Sequence, residues 1–136
     1  MIIRILDKVD LDGTGLAASG VATYFMATGI DVSAFKEITL VGRLHPTPTF
    51  NGAPSVLLRL FRAAPTEQDP TNTYRETTQA ATVSFVLDTD AAPALKTTTL
   101  SSGAGGLMDL RVDLKQGSTG SATLKVTVSA DLVLKE

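Results

Sequence analysis

The chain has no cysteine and no tryptophan, one histidine, two tyrosines and five phenylalanines. Without cysteine there are no disulfides, no thiolate nucleophiles and no Cys-based zinc or iron–sulfur sites. His45 is the single residue around which a Ser-His-Asp relay could be built, and no serine sits in a Gly-x-Ser-x-Gly elbow. Twelve Lys and Arg face fourteen Asp and Glu, a net charge of -2, with no basic tail or stripe. The electrostatic footprint of a nucleic-acid binder is therefore missing. No run approaches the roughly 20 apolar residues that span a bilayer, so no membrane partner is expected. The opening Met1-Ile2-Ile3-Arg4-Ile5-Leu6-Asp7 is too short and too interrupted for a signal peptide, so the chain reads as made in a cytoplasm without cleavage. Neither Asn51 nor Asn72 has Ser or Thr two positions on, so the N-glycosylation pattern is absent.

What is present is a foldable core. Hydrophobic residues make up 43% of 136 residues, enough for one domain over residues 1–136 and too few for two. Charged residues are 19%, below the roughly 25% of ordinary soluble domains, which suits a protein with covered surfaces.

The clearest pattern lies in residues 107–135. Leu110, Val112 and Leu114 alternate with Asp109, Arg111 and Asp113. After a turn-rich stretch, Leu124, Val126, Val128, Ala130, Leu132 and Leu134 alternate with Lys125, Thr127, Ser129, Asp131 and Lys135. Successive side chains of a strand point to opposite faces, so each run has one oily and one wet face. The pair reads as a closing hairpin whose oily face the remaining chain must cover.

Six further strands precede it: residues 2–6, 21–28, 37–45, 55–63, 74–87 and 94–100. Turn formers at 7–15, 29, 46–48, 50–54, 65–72, 88–93 and 101–106 separate them. Phe35 is expected to drop into the core from the turn at 31–35. The run Val56, Leu57, Leu58, Leu60 and Phe61 reads as a central strand covered on both sides. About eight short strands and no helical period predict an all-β, single-domain antiparallel β-sandwich of jelly-roll type, with an immunoglobulin-like sandwich as the alternative. No Trp and no Cys pair support the latter.

Four chemistries can be tested against these residues. Asp10-Leu11-Asp12-Gly13-Thr14-Gly15 begins like a calcium loop, but its twelfth position is Val21 where a bidentate Glu is needed. The plain reading is a turn. The carboxylate pairs Asp10/Asp12, Asp88/Asp90 and Asp109/Asp113 could face a cleft as glycosidase carboxylates do, but read more simply as solvated turn and strand residues. Sugar stacking would fall to Tyr24 and Tyr74. Gly103-Ala104-Gly105-Gly106 lacks the lysine motif and helix of a phosphate loop. The expectation is no catalytic, metal or cofactor-binding residue, and no enzyme.

Residues 108–114, the Gly-Ser-Thr turn and residues 122–135 resemble the end of small jelly-roll virion proteins of tailed bacteriophages, and residues 29–40 have a similar character. The resemblance spans most of the chain in pattern and contains no ligand motif. It implies a structural virion protein of a phage, prophage or gene transfer agent: a capsid decoration (cement) protein or another head- or tail-associated protein. Its partners would be a major capsid or other virion protein and copies of itself, a trimer on three-fold positions being common in such proteins. The expected location is the virion, after synthesis in a host cytoplasm. No functional residue carries over, because such contacts are surfaces. The first strand and the last are the expected contact points. A carbohydrate- or calcium-binding sandwich module is the rival reading.

Overall fold

The structure, a computed structural model, describes residues 1–46, 50–65, 73–88, 94–101 and 106–136, with the backbone alone at 63–65 and 73–79. Eight strands carry its regular structure: β1 (Ile2–Asp12), β2 (Val21–Asp31), β3 (Glu37–Leu44), β4 (Ser55–Pro65), β5 (Thr73–Val86), β6 (Ala94–Leu100), β7 (Leu107–Lys115) and β8 (Lys125–Lys135). They form two four-stranded sheets, β1-β8-β3-β6 and β2-β7-β4-β5, with every pair antiparallel. Pairing is nested. First meets last (β1 with β8), then β2 meets β7, β3 meets β6 and β4 meets β5. The chain is thus one long hairpin folded over on itself, and β3–β8 and β4–β7 are the seams that form when it rolls up. This is the jelly-roll order, not the immunoglobulin one.

The expected closing hairpin of β7 and β8 is not formed. β7 lies in one sheet and β8 in the other, and residues 116–124 carry the chain between them. The reason follows from the alternation itself. Side by side, two one-faced strands would still need a further layer over them. Set in opposite sheets, their apolar faces cover each other. Val126, Val128, Ala130, Leu132 and Leu134 are buried from one side; Met108, Leu110, Val112 and Leu114 are buried from the other.

β1 also differs from expectation. It does not stop at Leu6 but runs to Asp12, so most of the anticipated 7–15 loop is strand. Two register shifts, between Arg4 and Leu6 and between Leu6 and Val9, absorb the turn-forming residues as bulges. Lys8 takes φ 49° there, and its amide is held by the Ser129 hydroxyl at 2.9 Å. Gly29 is likewise no terminator. With φ 64° it sits in a bulge of β2, donates its N–H to Asp109 Oδ1 (2.9 Å), and the strand continues to Asp31. In the turn that follows, Val32 is the fully buried residue and Phe35 only packs against the core.

β4 is central as expected, but it is not covered by a further layer. Val56, Leu58 and Leu60 fill the core, and its outer face is roofed by arginines over Phe61. Gly42, midway along β3, lets the sheets close. A Cβ there would stand 2.7 Å from both Leu58 Cδ1 and Val83 Cγ1. The expected turn residues Thr47 and Pro48, the polar loop over 66–72, residues 89–93 with Asp90, the glycine-rich residues 102–105 and the Tyr74 side chain lie outside the described residues.

Candidate functional site

With the core filled by apolar side chains, polar chemistry is confined to the outer faces and the loop ends. His45 follows β3, and its Nε2 lies 2.7 Å from Ser129 Oγ on β8. Such a pair could begin a nucleophilic relay. Ser129, however, is buried and is already the acceptor for Lys8 N–H. The His45 amide bonds to Thr127 C=O, and among the described residues no carboxylate holds the ring. The arrangement ties the end of β3 and the middle of β8 to the β1 bulge.

Asp10 and Asp12 stand on the outer face of β1, with the buried Leu11 between them. Asp10 Oδ1 accepts the Thr127 hydroxyl at 2.5 Å. Asp12 Oδ1 accepts both the Thr14 hydroxyl (2.7 Å) and its amide (2.9 Å), and these bonds hold the Asp12 carboxyl below its ordinary range, helped by the Lys125 charge. With Pro46, Lys125 and Thr127 they line an open groove of about 440 Å³. A calcium loop presents converging oxygens; here the two carboxylates lie along a strand and are already engaged. Among the described residues no group of three or more His, Asp or Glu could hold a metal ion. Asp88 is exposed at the end of β5.

Asp109 and Asp113 do share one face of β7, as the alternation requires, but they are not solvated. Both are buried on the outside of their sheet. Asp113 accepts Arg59 Nη1 (2.6 Å) and the Thr23 hydroxyl (2.7 Å). The Arg111 guanidinium lies 3.7 Å from the Phe61 ring centroid and 5.0 Å from that of Phe25, and Arg59 lies 4.9 Å from Phe61. Long arginine stems lie across the sheet and bury the carboxylates beneath them. The opposite sheet repeats the device. Asp131 on β8 is buried, bonded to Arg4 Nε and to Arg4 Nη2 (3.3 Å), with Arg43 at 3.9 Å. The Asp131 hydrogen bond, then its charge, raises the Arg4 guanidinium above its ordinary value. The alternation in β7 and β8 placed these aspartates on the wet faces. Their partners Arg59 and Arg4 could not be read without the register of neighbouring strands.

Tyr24 does not offer a sugar platform; it packs half-buried against the core. Among the described residues the exposed aromatic is Phe25, at 57%. It belongs to a small set. Met1, Ile2, Val21, Phe25 and Leu95 are the exposed large apolar residues among those described. Ile2 lies on β1, Val21 and Phe25 on β2 and Leu95 on β6, all edge strands, and Met1 directly precedes β1. No protein-family model matches the chain, and no curated protein sequence matches it.

Proposed function

We propose that this chain is a structural virion protein, of the capsid decoration or other head- or tail-associated kind, that works by packing on a shell and on copies of itself. One observation carries the reading: among the described residues, the large apolar side chains left in solvent all sit on or beside edge strands. An interior apolar residue serves the core, whereas apolar groups gathered beside open strand edges serve a neighbour. The jelly-roll order supports the same reading, because viral shell domains use it, although lectins and cupins do too. The clamped outer faces supply stiffness. Asp113 and Asp131 each bind arginine from an adjacent strand and cross-link their sheets at the surface.

The test follows the chain through a density gradient of lysate from the source cells, counting its peptides by mass spectrometry. Comigration with a particle band at a fixed ratio to the most abundant shell protein is expected. Recovery only in the soluble fractions overturns the reading. Ile2→Lys and Phe25→Lys, both at exposed positions, should lower the particle-bound fraction while leaving the circular dichroism of the purified protein unchanged.

A further inference from the structure

The four edge strands are not alike. β1 and β2 each carry two register shifts, which twist an edge away from a would-be partner. β5 also carries two shifts, and its regular stretch from Ala81 to Val86 is stopped in a further way. Leu87 N–H donates to Pro54 C=O (2.8 Å), so Ala81, Val83 and Phe85 bond to β4 and Thr82, Ser84 and Val86 turn outward. Two of those outward carbonyls are capped from β6, Thr82 by the Thr98 hydroxyl (2.6 Å) and Ser84 by Lys96 Nζ (2.9 Å). β6 has neither protection. It pairs with β3 over seven residues, Ala94 to Leu100, without a shift. Its one charged residue, Lys96, is drawn inward over the Phe85 ring (5.5 Å). A lysine that would usually guard an edge is thus turned away from it.

The hydrogen-bond phase of this edge is fixed. His45 N–H donates to Thr127 C=O (3.0 Å), so odd-numbered β3 residues bond to β8 and even-numbered ones to β6. The Thr39 and Thr99 hydroxyls, 2.9 Å apart, meet as side chains do at a non-hydrogen-bonded pair, which agrees. In β6, therefore, Lys96, Thr98 and their even-numbered neighbours bond inward. Leu95, Thr97 and Thr99 direct N–H and C=O outward, with no partner among the described residues.

We infer that β6 pairs antiparallel with β6 of a second copy about a two-fold axis at Thr97. In that register Thr97 faces Thr97 of the second copy and Leu95 faces Thr99 of the second copy. Three pairs that each exchange both bonds give about six backbone hydrogen bonds. The same register sets Lys96 against Thr98, so no like charges meet, and threonine pairs are favourable across strands. The exposed Leu95 side chain lies against Thr99 of the second copy. The two sandwiches then share one eight-stranded sheet, closed by its two-fold symmetry. A single short edge buries little area, so the association is concentration-dependent. It stands on the edge geometry and not on the virion reading.

Light scattering from micromolar to millimolar protein is the first test. The mass is expected to rise from 14.2 kDa toward twice that value. Thr97→Lys, an exposed substitution that sets lysine against lysine at the axis, is expected to hold the mass at 14.2 kDa with unchanged circular dichroism. Because the chain has no cysteine, Thr97→Cys should oxidise rapidly to a disulfide-linked dimer, and Ala18→Cys, in an exposed loop, should not. A wild-type mass of 14.2 kDa at every concentration, a trimeric mass, a dimer that survives Thr97→Lys, or equal cross-linking at positions 18 and 97 would each overturn the inference.

Discussion

Gln116 is the residue whose removal should be felt furthest from where it stands. It is buried where the chain leaves β7 to cross between the sheets. Its Nε2 donates to Gly13 C=O and Ser121 C=O, both at 3.0 Å, and its Oε1 accepts Gly117 N–H at 3.0 Å. Three loops meet there. Residues 13–20 reach it through Gly13, residues 116–124 hold it, and residues 50–54 lock onto it where Ser118 N–H meets Gly52 C=O (2.9 Å). In Gln116→Met the volume is kept and the polar ends are lost. Gly117 N–H becomes a buried donor without an acceptor, at about 2 kcal/mol, and two bonds to carbonyls go at about 1 kcal/mol each. Gly13 C=O retains the Leu16 amide, so its loss is the milder one. The sum is about 4 kcal/mol, a fall in Tm of roughly 14 °C for a domain of this size. Urea unfolding followed by circular dichroism measures it. Gln116→Glu adds a sign test. A buried carboxyl facing two carbonyl oxygens has its folded-state pKa raised, so the folded state binds the extra proton. Stability should be closest to wild type below about pH 4.3 and should fall as pH rises above it. A loss under about 1 kcal/mol for Gln116→Met, or a Glu variant whose stability rises with pH relative to wild type, would refute the three-loop role.

The remaining predictions concern the core, a turn and acid. Gly42→Ala should cost about 1–3 kcal/mol, read as a lower urea midpoint, because its Cβ meets the stiff Val83 as well as Leu58. Ala53→Gly should raise stability by about 0.5–1 kcal/mol in the same assay, since Ala53 is exposed and held at φ 54°, where a Cβ is penalised. Asp12 and Asp31 are held below the ordinary carboxyl range, first by the hydroxyl and then by the amide of Thr14 and of Ser33 respectively. A depressed folded-state pKa gives stability that is present above about pH 3.9 and lost as pH falls, so the double variant Asp12→Asn, Asp31→Asn should show a shallower acid loss than wild type in urea midpoints between roughly pH 5 and pH 2.

Strand content was legible because alternation is a local signal. β6 has the bounds its composition suggests, and β3, β4 and β5 agree within one or two residues. The misjudged boundaries, at Asp7 and Gly29, share one cause. A bulge uses the same residues as a turn, a positive φ with a polar anchor, and only the partner strand decides between them. Partnership itself was not legible. The 107–135 pattern fits a hairpin and a cross-core pair equally well, since each strand shows only that it has one apolar face. For the candidate site, alternation put Asp109, Arg111, Asp113 and Asp131 on outer faces, but Arg59 and Arg4, which bind Asp113 and Asp131 there, come from other strands. His45 and Ser129 are far apart in sequence, and no local rule joins them.

Nested pairing also explains why the protections are distributed as they are. Folding one long hairpin over on itself leaves the edge strands β1 and β2 on one side of the sandwich, the open side, and the edge strands β5 and β6 on the other, which side chains of β6 close. The open side is blunted by bulges that Ser129 and Asp109 anchor. On the closed side the edge of β5 is directed at β6, and side chains from β6 can satisfy it. That service uses Lys96 and Thr98, the residues whose backbones already bond to β3. The alternate residues Leu95, Thr97 and Thr99 are left with their backbone groups outward. One strand thus closes the sandwich with every second residue and presents an unguarded edge with the others. The strand period of two allows both at once, whereas an edge guarded by Lys96 would have left Ser84 C=O uncapped.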